Sequence, residues 1–87
     1  MDEKALLVSE VKNLYKRVVA VSEKDPRLVV NLATKEMYLA YVKKMKTLFP
    51  ENEEVKNLSE KFGVTFMYAD LSNLVGRLMV LLRFLVR

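Results

Sequence analysis

The chain is expected to be all-α: an up-and-down helical bundle of three long helices and one short helix, which oligomerises. Three observations predict this. Apolar residues between Lys4 and Ser22 recur in alternating steps of four and three, the spacing of one helix face. Only two glycines and two prolines stand in 87 residues, so breaks are few. No segment alternates apolar and polar residues for long enough to predict a strand. The length allows one domain, residues 1–87, and no second.

The first helix is expected over about 4–22, with Leu7, Val11, Leu14, Val18 and Val21 as its inward stripe. Lys12, Lys16, Asn13, Arg17 and Glu10 fall on the opposite arc. Asp25-Pro26 offers a helix start, since the carboxylate can accept a free backbone N–H and proline at the first helical position forfeits no bond. A second helix is therefore expected over about 26–49, antiparallel to the first across a short loop. Its core stripe reads Val30, Met37, Tyr41, Met45 and Leu48, flanked by Tyr38 and Ala33. On its outer face Leu28, Leu32 and Leu39 share a line that Lys35, Lys43 and Lys46 continue.

Pro50 stops that helix, and the acids Glu51, Glu53 and Glu54 suit the positive end of a short third one over about 52–62. Val55, Leu58 and Phe62 would be its buried stripe and Gly63 its cap. A fourth helix is expected over about 65–86. A break at Asp70, leaving Val64 to Ala69 extended, is the alternative; the inward placement of Met67 and Tyr68 on the same projection favours continuity.

The stretch from Leu71 to Arg87 is the most telling. Its charged residues are Arg77, Arg83 and Arg87, and most of the rest is aliphatic or aromatic. Ser72, Asn73, Gly76 and the arginines share one arc, which Val80 and Phe84 interrupt. Three roles fit such a helix, in decreasing weight: the central helix of the bundle, a dimer seam, or a helix lying in a membrane surface.

Composition narrows the chemistry. With 52% hydrophobic residues and 30% charged ones the chain should fold. A domain this small hides only about 60 to 65% of its extended surface, so a mean hydropathy of +0.06 leaves apolar side chains without a core to enter. Cysteine and histidine are absent, which removes disulfides, thiolate metal sites and the common catalytic triads. Gly63 and Gly76 stand alone and build no phosphate loop. No enzyme activity, catalytic residue, cofactor, metal or small-molecule substrate is therefore expected. Glu51, Glu53 and Glu54 read as surface acids, and Asp70 as a helix-edge residue that meets water or a cation. Tyr15, Tyr41 and Tyr68 project toward the core, leaving Tyr38 nearest the surface.

Function is expected to be interaction. The chain should self-associate or dock as a subunit of a larger complex through Leu28, Leu32, Leu39, Val80 and Phe84. The alternative is a small nucleic-acid-binding protein, because a net charge of +4 and a pI near 9.4 favour polyanions. Its phosphate contacts would be Lys4, Lys12, Lys16, Arg17, Lys35, Lys43, Lys44 and Lys46. The opening Met1-Asp2-Glu3-Lys4 is too acidic for a secretory signal, so a cytoplasmic location is expected. Abundant lysine and glutamate without cysteine or glutamine lean toward a thermophile-like composition.

Overall fold

Asp2 starts the first helix, its Oδ1 accepting the Ala5 N–H at 2.7 Å. In the computed structural model, which describes residues 2–62 and 65–86, the elements are α1 (Glu3–Lys24), α2 (Leu32–Leu48), α3 (Glu53–Lys56) and α4 (Tyr68–Leu85). The described chain is all-helical apart from one isolated antiparallel bridge. In α1 four of the five anticipated stripe residues, Leu7, Val11, Leu14 and Val18, are buried, and Val21 is partly buried at the helix end.

The start of α2 differs from expectation. Asp25 closes α1 instead of opening the next helix, its N–H donating to the Val21 carbonyl at 2.8 Å. Pro26 and Arg27 turn, and Leu28 to Val30 run extended. There the Val30 N–H donates to the Phe66 carbonyl at 2.8 Å and the Tyr68 N–H to the Leu28 carbonyl at 2.9 Å, bracketing a Val29–Met67 bridge. Two adjacent valines favour extended backbone once a partner edge is present. Asn31 then caps α2, accepting the Thr34 N–H at 2.8 Å.

The buried face of α2 is Tyr38, Val42 and Met45, with Met37, Tyr41 and Leu48 on its margin. Tyr38, expected nearest the surface, is 1% exposed. The displacement has a cause: α2 packs against α1 on one side and the segment after α3 on the other. Phe62 meets Tyr38 edge-on at 5.6 Å, and Phe66 lies 4.6 Å from Phe62. Val30 is buried as predicted, but from the extended segment.

The third helix is far shorter than the expected 52–62. Asn52 caps it through the Val55 N–H at 3.0 Å, and it ends at Lys56. A lone amphipathic helix of some eleven residues is marginal, and Ser59 competes for the backbone, its Oγ accepting the Lys61 N–H at 3.3 Å. Leu58 and Phe62 still pack on the core from an irregular path. The expected cap at Gly63, together with Val64 and Arg87, lies outside the described residues.

Helix α4 begins at Tyr68, three residues later than expected, because Phe66 and Met67 are drawn into the bridge. Asp70 finds its role here: its Oδ2 accepts the Met67 N–H at 3.3 Å and closes the helix start. Tyr68, Leu71, Val75, Leu78 and Leu82 are buried, each leucine contributing about 1.5–3 kcal/mol.

Directions follow from contacts between elements. Glu3 lies 3.9 Å from Lys44 and Arg17 reaches the Met37 sulfur, so α1 and α2 are antiparallel. The Thr34 hydroxyl lies 3.4 Å from the Tyr68 hydroxyl, so α2 and α4 start at the same end. Helix α1 packs most extensively against α4, and no charged or polar residue is buried among those described.

Candidate functional site

Large apolar side chains remain on the outside: Leu28, Val29 and Leu32 near the bridge, Val80 and Phe84 on α4, and Leu6 on α1. The partner surface expected from the sequence is thereby divided. Leu28 is tied to Tyr68 at the start of α4, and Phe84 lies 16 residues further on, about 24 Å at 1.5 Å per residue. Leu39 belongs to neither patch and is half-buried. It shares its line on α2 with Lys46, which reaches the segment after α3, so that line faces neighbouring chain.

Val80 and Phe84, 58% and 67% exposed, form part of the wall of a groove of about 870 Å³. From α4 come Leu74, Gly76, Arg77 and Leu81; from α3 and the residues after it, Glu54, Asn57, Leu58 and Ser59. Tyr15 of α1 and Tyr38 of α2 complete the lining. The groove follows from the local sequence. Only one turn of helix forms before the chain loosens at Asn57, and Asn57, Leu58 and Ser59 then line the groove from an irregular path.

Sequence reasoning found the ridge and missed the groove. Gly76 lies on the groove wall within van der Waals reach of the Tyr15 ring. The Tyr38 hydroxyl is held above its ordinary pKa by burial, an effect that the Arg77 guanidinium partly offsets. Burial also raises Tyr41, with Glu10 adding to the shift and Arg17 opposing it.

Two of the basic residues leave α2 on different sides. Lys44 leaves α2 toward Glu3, whereas Lys46 donates to the Leu58 carbonyl at 2.9 Å and pairs with Glu60 at 3.3 Å. Residues two apart in sequence thus serve opposite flanks of the helix. The Lys4 ammonium lies 5.2 Å from the Phe49 ring centre, and Arg17 contacts Met37. Lys12, Lys16 and Lys43 are exposed, and Lys35 is partly so.

Among the described residues, no cluster of three or more acidic, cysteine or histidine side chains is placed to hold a metal. Glu53, in the acidic run, pairs with Lys56 at 3.4 Å. No helix among those residues is long and apolar enough to cross a membrane. The groove can shelter apolar surface from water, with a carboxylate at Glu54 and a guanidinium at Arg77 to orient what enters. Comparisons with protein families, with curated proteins and with solved structures find no match to this chain.

Proposed function

We propose that this chain is a non-catalytic helical assembly protein, in which a bundle of three longer helices and one short one buries exposed apolar surface by associating with copies of itself or with a larger complex. The observation that carries this reading is the exposure of Val80 and Phe84 beside an open, largely apolar groove. Surface area supports it. The accessible surface is 5882 Å², against about 5300 Å² for a typical monomeric protein of 10.1 kDa. The radius of gyration, 12.7 Å, likewise exceeds the roughly 12.0 Å usual for 87 residues.

Light scattering across a concentration series tests the self-associating form. A particle of at least two chains is expected, and a single-chain mass at high concentration removes it.

A second reading draws on Lys12, Lys16 and Lys43, which are exposed and have no ion-pair partner among the described residues. Together with Lys35 they would contact the phosphate backbone of nucleic acid with little sequence preference. Binding at low salt that weakens steeply with added salt is its expected signature. No binding at low salt rejects it.

A further inference from the structure

Resting on the assembly reading, this inference names the partner of the groove. We infer that two chains pair through antiparallel α4 helices about a two-fold axis beside Val80, with the Val80–Phe84 ridge of each seated in the groove of the other.

The chemistry of the groove specifies its occupant. Leu74 and Leu81 call for apolar contact, and Glu54 for positive charge. Glu54 is exposed and has no ion-pair partner among the described residues, whereas its neighbour Glu53 is held by Lys56. The outer face of α4 supplies both requirements. Val80 and Phe84, which also line the groove of their own chain, form its ridge; Arg83 is exposed beside them, whereas Arg77 already lines the groove, and no acid follows Asp70.

Ridge and groove also occupy one side of the molecule, so a two-fold operation satisfies both at once. That is the condition for a closed, isologous dimer. The spacing fits as well. Arg77, Val80, Leu81 and Phe84 stand at i, i+3, i+4 and i+7, one stripe of a helix. Antiparallel helices centred between Val80 and Leu81 bring Val80 level with Leu81 of the second copy, and Arg77 level with Phe84 of the second copy.

The chain contains no cysteine, so an introduced thiol reports without background. A disulfide needs α-carbons within about 4.4–6.8 Å, which only positions near the axis achieve between identical chains. Val80→Cys should therefore oxidise to a covalent dimer, and Leu32→Cys, at the other patch, should not. The double variant Val80→Glu/Phe84→Glu should halve the mass from two chains to one while circular dichroism keeps its helical signal. A dimer that fails to cross-link through Val80→Cys, or that survives the double substitution, overturns the α4 pairing and leaves the assembly reading standing. A wild-type chain that stays single at millimolar concentration overturns the pairing and self-association together.

Discussion

Gly76 in the middle of α4 faces the ring of Tyr15 from α1 so closely that a β-carbon at position 76 would stand 3.4 Å from Tyr15 Cε1. That is ordinary van der Waals contact. A methyl group fits without moving the ring, and alanine is favoured over glycine inside a helix by about 0.5–1 kcal/mol. Gly76→Ala should therefore stabilise the fold by about that amount, seen as a higher midpoint in thermal or urea unfolding. Gly76→Leu should do the opposite, because the longer side chain must displace Tyr15 and part α1 from α4. A destabilised alanine variant would mean that this approach is tighter than described.

The beginning of α2 separates two candidate caps. Asn31 accepts the Thr34 N–H at 2.8 Å, whereas Asp25 stands at the end of α1. Asn31→Ala should cost about 1 kcal/mol, and Asp25→Ala should leave stability nearly unchanged. Denaturant titration of the two variants checks the order, and equal losses would return the helix start to Asp25-Pro26.

These caps show what was legible in the sequence. The α1 stripe was, because a long helix packed on one face keeps a strict period and nothing competes for its backbone. The same holds for Leu71, Val75, Leu78 and Leu82 of α4. The start of α2 was not, since Asp25 and Asn31 both offer a capping oxygen and the choice between them depends on Phe66 to Tyr68, far along the chain. Tyr38 was misplaced for a similar reason: the aromatic pair that covers it, Phe62 and Phe66, reaches it from an irregular segment that periodicity does not describe. Of the candidate surface, exposure at Leu32, Val80 and Phe84 could be read one helix at a time, whereas Leu28 is exposed from the segment before α2 and not from the helix face assigned to it. Their separation into two patches could not, because it depends on how α2 and α4 are arranged in space.

Tyr38 gives the fold an alkaline limit. Burial disfavours its phenolate, so the folded chain keeps the phenol proton above the ordinary pKa of 10.0, despite the opposing Arg77 charge. The unfolded chain releases that proton near pH 10. Below this pH both states are protonated and the contribution to stability is complete. As pH rises past 10 toward the folded value, unfolding becomes linked to proton release and stability falls. Tyr41, shifted in the same direction, acts alike. Tyr38→Phe keeps the ring against Phe62 and removes one titrating group. Its stability should decline less steeply than that of the wild type as pH rises above 10, measured by urea unfolding. Parallel slopes would show that Tyr38 titrates alike in both states.

Lys46 fastens the segment after α3 to α2. Its ammonium donates to the Leu58 carbonyl at 2.9 Å and meets Glu60 at 3.3 Å, and it is one of the few fixed points of a stretch without regular structure. Side-chain exposures of 30% and 38% make the ion pair a minor term, weakened further by salt. The bond to the carbonyl is the larger one, worth about 1 kcal/mol. Lys46→Met keeps the aliphatic stem packed and removes the ammonium. It should lower global stability by about that amount and speed amide exchange selectively at residues 58–61, with α1 and α4 unaffected until global unfolding. Because this ammonium is already engaged within the chain, the same substitution should also weaken any nucleic-acid binding less than Lys43→Gln does. Unchanged exchange at residues 58–61 would show that the segment is held by Leu58 and Phe62 packing alone.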